Sequence, residues 1–232
     1  MTSSVDWKID GVYDDRTMRA LSEIGTRHIG FDFRPLSLNF IQNHIFQDLI
    51  FRYFNSNSKY YLRFENEKDF VVQSFLDSIS ERFGEKTLIN NFVLEFSGDM
   101  PKEYYQTFKV PFIWHYDEGN SWQELMGLDN LKGIVLDIKI LEYLHVQGRL
   151  HSFVQVLYQL IQSHKRFDLL DLILKINWDS HIIPSLFEFF DLGIISLGIG
   201  PEVEECYRNV DLTRMTKQYH LFKSNLNNLQ QG

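Results

Sequence analysis

Acid–base chemistry uses carboxylates and small polar residues, and in this chain they gather where short apolar runs end. The first such end reads Lys8-Ile9-Asp10-Gly11, and the second reads Gly30-Phe31-Asp32-Phe33-Arg34-Pro35, followed by Ser37. Later ends read Leu94-Glu95-Phe96-Ser97-Gly98-Asp99, Leu136-Asp137-Ile138-Lys139 and Ser196-Leu197-Gly198. A site would be read from these ends, and Lys139, charged and just past Asp137, could contact an anion. Trp178 follows the seventh run and could stack on an aromatic substrate, whereas Trp114 and Trp122 read as packing residues. The chain has eight histidines, His115, His145 and His151 among them. With no His-Glu-x-x-His motif and no cysteine pair, no metal site is expected.

The elements that must hold these residues follow from periodicity. Eight short, β-rich runs recur along the chain: Val5–Asp10, His28–Phe33, Lys59–Glu65, Asn91–Ser97, Pro111–Tyr116, Gly133–Ile138, Leu170–Ile176 and Ile194–Gly198. Apolar residues at helical spacing fill Ile41–Phe54, Phe70–Phe83, Val154–Ile161, Ile182–Phe190 and Thr213–Leu226. Asp14-Asp15 can cap a helix carrying Met18, Leu21 and Ile24, with Gly25 as its stop. Pro101 suits the first turn of a short helix over Lys102–Phe108. Strand alternating with helix implies a parallel sheet covered by helices. Eight such units predict one α/β domain over 1–232, a single (β/α)8 TIM barrel, whose site lies at the C-terminal ends of the strands.

Composition narrows the function classes. The formal net charge is −8, which disfavours nucleic acid and acidic membrane surfaces as partners. Cys206 is the only cysteine, so no intrachain disulfide can form and a reduced, cytoplasmic location is expected. Met1–Asp10 lacks the basic start and apolar core of a signal peptide. Ile182–Gly200 is apolar but contains Glu188 and Asp191, and reads as a helix followed by a buried strand. Ala20 is the sole alanine, against 20 Phe and 11 Tyr. Contacts between helices and barrel must therefore be filled by large side chains. Cys206 reads as a helix or loop residue without chemistry.

The strand-end motifs, taken in order, resemble those of the phosphoribosylanthranilate isomerase family, a barrel of the tryptophan pathway. Lys8 to Gly11 is similar to the family's Lys-Ile-Cys-Gly, with Asp10 in the cysteine's place. Gly30 to Ser37 is similar to its Gly-Phe-x-Phe with later Pro and Ser. Glu95 to Pro101 looks like Gln-Leu-His-Gly, an acidic residue and Pro, with Glu95 for Gln and Ser97 for His. Val135-Leu136-Asp137 resembles Leu-Leu-Asp, and Gly148-Arg149 resembles a later Gly-Lys.

The resemblance implies an Amadori-type aldose–ketose isomerisation of a phosphorylated amino sugar. A general acid opens the ribose ring and a general base removes the C2′ proton. Asp137 matches the family's acid and Asp10 stands where the base cysteine would be. A related barrel isomerase of histidine biosynthesis uses two aspartates for the same rearrangement. Arg34, Glu95, Lys139 and Trp178 are then expected around the substrate and Ser196 with Gly198 around its phosphate, with no cofactor or metal. The chain departs from the pattern at Ile176-Asn177-Trp178, where the family has Gly-Gly-Leu, at Leu197 and Pro201 near its Ser-Ser-Gly-Val-Glu, and at Asn39, where it has arginine. These departures motivate two alternatives: a barrel that has lost catalysis and serves as a binding or interaction protein, or an isomerase for another amino sugar phosphate. An open pocket shared by Asp10 and Asp137, with free backbone N–H groups near Gly198, favours catalysis, and one filled by Trp178 or Phe33 favours its loss. Oligomeric state is left open.

Overall fold

The computed structural model describes residues 5–117, 125, 127–163, 170–180, 186 and 189–230. Eight parallel strands close into a barrel in chain order: β1 (Asp6–Asp10), β2 (His28–Asp32), β3 (Lys59–Phe64), β4 (Phe92–Phe96), β5 (Phe112–His115), β6 (Leu131–Asp137), β7 (Asp171–Ile176) and β8 (Ile194–Gly198). The ring closes where β1 pairs with β8, Asp6 opposite Ile194 through Asp10 opposite Gly198. The described helices are α1 (Asp15–Glu23), α2 (Asn43–Tyr53), α3 (Asp69–Phe83), α4 (Glu85–Asn91), α5 (Lys102–Gln106), α6 (Ile138–Val146), α7 (Leu150–Ser163) and α8 (Leu212–Gln230). The chain is a (β/α)8 barrel, as its strand–helix alternation predicts.

Side chains alternate across each strand, and the alternation sorts them into two apolar clusters. Ile9, Phe31, Leu62, Leu94, Leu136, Leu174 and Leu197 join the shell between strands and helices. Tyr61, Val93, Ile113, Val135, Ile173 and Ile194 form a separate cluster. They belong to the other strand face, so they fill the barrel. One step further toward the C-terminal ends, the same face carries Asp10, Asp32, Arg63, Glu95, His115, Asp137, Lys175 and Ser196. The period that buries the apolar residues thus also stacks a charged layer above them.

Aromatic rings fill the contacts that a chain with one alanine cannot fill with small residues. Phe33 packs edge-on against Phe75, centroids 4.4 Å apart, and Phe31 against Phe46 at 4.9 Å. Phe96 contacts Tyr104, Tyr105 and Phe112.

The ends of α1 follow the expected rules. The Asp14 carboxylate accepts the Thr17 N–H at 2.9 Å, and Gly25 ends the turn at φ 72°. Other segments differ from expectation. Ile138, read as the end of a strand, instead opens α6 directly after β6, because the Asp137 carboxylate caps that helix through the Lys139 N–H at 3.0 Å. Gly84, at φ 85°, ends α3 and starts the unforeseen α4. After β8 an unforeseen antiparallel pair forms from β9 (Glu204–Cys206) and β10 (Asn209–Val210). Cys206 is therefore neither helical nor in a loop; it lies in β9, exposed and unpaired. The helix expected over Ile182–Phe190 lies largely outside the described residues, as does Trp122. Among the described residues no helix is long and apolar enough to cross a membrane.

Candidate active site

Two cavities open at the ends of the barrel. The larger, about 520 Å³, lies at the N-terminal ends of the strands and is lined by His28, Lys59, Tyr61, Lys132 and Asp171, among others. The smaller, about 230 Å³, lies at the C-terminal ends, where Asp10, Asp32, Arg63 and Lys175 reach it. Size favours the first. Chemistry favours the second, because barrel strands present their variable loops and functional side chains at that mouth.

Beneath the C-terminal cavity lies a buried ion network. The Lys8 ammonium is fully enclosed and donates to Asp10 Oδ1 and, at 2.6 Å, to Glu95 Oε2. Ser196 Oγ, also enclosed, donates to Asp10 Oδ2. Both Asp10 oxygens are thereby held, yet the residue still lines the cavity. Glu95 takes its other hydrogen bond from His115 Nε2 at 2.5 Å, with Arg63 Nε 4.0 Å away.

Burial alone would pull the Lys8 ammonium down, but Asp10 and Glu95 reverse this and hold it above its ordinary value. For Glu95, burial pushes upward, and Lys8, His115 and Arg63 overcome it, holding the carboxyl well below the usual range. Burial, assisted by the Arg63 charge, takes His115 down to about 3, against the upward pull of Glu95. His115 is therefore neutral near pH 7 and acts as an N–H donor to a charged Glu95.

A second cluster forms the wall on the side of β2. Asp32 accepts from Arg34 Nε at 2.9 Å, Arg34 Nη2 at 2.6 Å and Ser37 Oγ at 2.7 Å. Burial pushes the Asp32 carboxyl up, and Arg34 and Ser37 outweigh it, so the carboxyl sits below its usual value. Arg34 lines the cavity, but its guanidinium is largely committed to Asp32.

The β8 end is internally satisfied. The Trp178 indole N–H donates to the Gly198 carbonyl at 2.7 Å, the Ile199 N–H to the Asp10 carbonyl at 2.8 Å, and Asn39 Nδ2 to the Ile199 carbonyl at 2.7 Å. Asn39 thus ties the loop after β2 to the loop after β8. Its amide also occupies the space that a side chain on Gly11 would need.

The expected site residues divide. Asp10, Arg34, Trp178 and Gly198 line the cavity. Glu95 and Ser196 lie below it, enclosed, and reach it through Lys8 and Asp10. Asp137 is not among the lining residues; its side chain, 30% exposed, caps α6 and pairs with Lys175 at 3.4 Å. Lys139 is exposed, supplies its backbone N–H to Asp137 and does not line the cavity. Phe33 sits in the outer aromatic shell. Trp178 is buried in the cavity wall and leaves the space open.

Arg63 and Lys175 are not among the residues singled out from the sequence, whereas Lys8 enters there only as part of a strand-end motif and His115 only as one of the histidines weighed for a metal. Period-two alternation over Lys59–Phe64 and Asp171–Ile176 does put Arg63 and Lys175 on the face of Tyr61 and Ile173, and that was the available signal. Among the described residues, three enclosed side-chain atoms lack a hydrogen-bond partner: Thr26 Oγ1, Ser97 Oγ and Arg63 Nε. Such a group typically costs about 1–3 kcal/mol. No group of three or more metal-ligating side chains occurs among the described residues.

Comparison with known proteins gives the fold a context. No protein-family model and no curated protein matches the chain. Solved structures do. Phosphoribosyl anthranilate isomerase from Thermus thermophilus aligns over 95% of this chain and 99% of its own, with 14% identity and a TM-score of 0.63. A phosphoribosyl anthranilate isomerase in complex with reduced 1-(o-carboxyphenylamino)-1-deoxyribulose 5-phosphate aligns over 91% and 94%, with 16% identity and a TM-score of 0.60. A citrate synthase aligns over 98% and 94%, at 10% identity and a TM-score of 0.55. At these identities the likeness establishes the fold that the chain shares with these enzymes, a (β/α)8 barrel.

Proposed function

We propose that this barrel is an acid–base aldose–ketose isomerase of the phosphoribosylanthranilate isomerase type, with Asp10 as general base and Asp137 as general acid. The observation that carries the reading is Asp10 at the floor of the C-terminal cavity, held by Lys8 and Ser196. Burying charge in a barrel interior is expensive, and apolar residues there are often no less stable. Such networks cluster where chemistry needs them. In the proposed reaction Asp137 protonates the ring oxygen of the amino sugar as the C1′–O bond opens. Asp10 then takes the C2′ proton, and the enolamine formed tautomerises to the aminoketose. Lys175, paired with Asp137 and lining the cavity, ties the rim carboxylate to the substrate space. A phosphorylated amino sugar, a place in tryptophan biosynthesis and a cytoplasmic location go with this reading.

The test is turnover of phosphoribosylanthranilate made in situ, followed by loss of its fluorescence. Asp10→Asn and Asp137→Asn are each expected to lower the rate about 10²–10⁴-fold. An unchanged rate in Asp137→Asn would remove that residue from the mechanism.

A second reading rests on the β8 end. There Trp178 and Asn39 occupy the carbonyls of Gly198 and Ile199, and the Ile199 N–H is spent on Asp10. That favours a barrel that has lost catalysis and serves as a binding or interaction protein, or one that converts a different amino sugar phosphate. Absence of turnover in folded native protein would shift the weight to this reading.

A further inference from the structure

We propose that Arg63 and Lys175 form an oxyanion subsite in the C-terminal cavity, which takes the carboxylate or phosphate group of a small ligand. The inference shares its cavity with the isomerase reading and requires no catalysis.

Register and saturation point to Arg63. On β3 it stands between Asp32 of β2 and Glu95 of β4. Either carboxylate could be its partner, yet both are occupied. Asp32 is held by Arg34 and Ser37, and the two Glu95 oxygens by Lys8 at 2.6 Å and His115 at 2.5 Å. The Arg63 guanidinium reaches no closer to Glu95 than 4.0 Å. Its Nε is enclosed and has no hydrogen-bond partner among the described residues. The side chain is 15% exposed, and what it exposes lines the cavity. With no hydrogen-bond partner for its Nε among the described residues, the charged guanidinium is a planar fork that matches the oxygens of a carboxylate or phosphate reaching its exposed part.

Lys175 supplies the second charge. It comes from β7, on the far side of the barrel, and lines the same cavity. Its pairing with Asp137, at 3.4 Å, is looser than the pairs beneath, so its ammonium can turn toward an incoming anion. Both cations line this one cavity, and the charge of each opposes protonation of His115. Three carboxylates, Asp10, Asp32 and Glu202, also line the cavity; Asp10 is held by Lys8 and Asp32 by Arg34, which offsets their repulsion of an anion. At the β8 end the Ile199 N–H, a donor that could have served an anion instead, is already spent on the Asp10 carbonyl.

Binding is measured directly, by calorimetry and tryptophan fluorescence, with inorganic phosphate and benzoate as separate probes on the native chain. At least one is expected to bind at one site per chain. Phosphate alone would identify a phosphoryl group as the natural partner, and benzoate alone a carboxylate. Arg63→Gln and Lys175→Met are each expected to weaken that binding by roughly tenfold or more. Their effects should be non-additive, because one ion bridges both. Arg52→Gln, which touches Asp15 outside the cavity, should leave binding unchanged. Glu95 keeps Lys8 and His115 in Arg63→Gln, and circular dichroism checks that this variant folds. Arg63→Lys keeps the charge without the fork and should retain part of the affinity. No binding of either probe, or native affinity in both Arg63→Gln and Lys175→Met, overturns the subsite. Anion binding without turnover would instead sink the isomerase reading and leave the subsite standing.

Discussion

Glu95 has two hydrogen-bond partners, Lys8 and His115, and no place in the cavity wall, so its effect on a ligand passes through Lys8 and Asp10. Its surroundings make stability depend on acid. His115 has a folded-state value of about 3, whereas an unfolded histidine titrates near 6.5. Between those values the unfolded chain holds a proton that the folded chain lacks, so stability falls as pH drops through that window. The His115 contribution to the loss is about 2 kcal/mol by pH 5. Glu95 and Asp32, both held below their usual values, add a second loss as pH falls below the ordinary carboxylate range. His115→Gln should flatten the fall in urea midpoint between pH 7 and 5 and leave the lower window in place. His28, also depressed by burial, keeps part of the upper slope. An unchanged slope in His115→Gln would mean that the ring is protonated in the folded protein.

At the scale of elements, β1 and β2 position Asp10 through a glycine. A Cβ on Gly30 would collide with the Asp10 carboxylate and stand 3.2 Å from its Cα. Gly30→Ala should therefore leave a folded barrel, less stable by about 1–3 kcal/mol, with Asp10 displaced from Lys8 and Ser196. Turnover and stability together test this, and retention of native activity would show that Asp10 tolerates the shift. Gly98 is placed differently, because its Cβ would run into the Glu65 carbonyl, a backbone atom that cannot rotate away. Alanine there should cost stability more than it alters the site. Much at this scale was legible, since alternation along each run separates Val93 and Glu95 from Leu94 and Phe96. The direct passage from β6 into α6 was not, because an apolar Ile138 continues a strand pattern as readily as it opens a helix.

The whole molecule rests on closure of the ring. α8 covers the outside of β1 where Tyr219 meets Trp7, ring centroids 5.8 Å apart and edge-on, with Phe222 beside them. Tyr219→Ala should lower stability by about 3–5 kcal/mol, as for other buried aromatic truncations. If residues 1–232 form one cooperative unit, fluorescence and circular dichroism will report the same shift in urea midpoint. Separate midpoints would divide the chain into independently unfolding parts.

The sequence by itself determined eight strand–helix units and a parallel sheet with both faces covered, for which a barrel is the more natural arrangement, and the β1–β8 pairing of the tertiary structure closes the ring. It also determined which ends of the strands carry Asp10, Asp32, Glu95 and Asp137, since strand direction and chain order assign them to one mouth. Only the tertiary structure decided which of these carboxylates a ligand can reach. Lys8 and Glu95 are 87 residues apart and meet at 2.6 Å because closure brings their inward faces to the barrel axis. Ser196 reaches Asp10 across the β1–β8 seam for the same reason. Arg63 is left without a close partner because Arg34, Lys8 and His115 occupy the carboxylates on either side of it. Saturation of this kind depends on side-chain reach within a closed ring, and residue order along the chain carries no record of it.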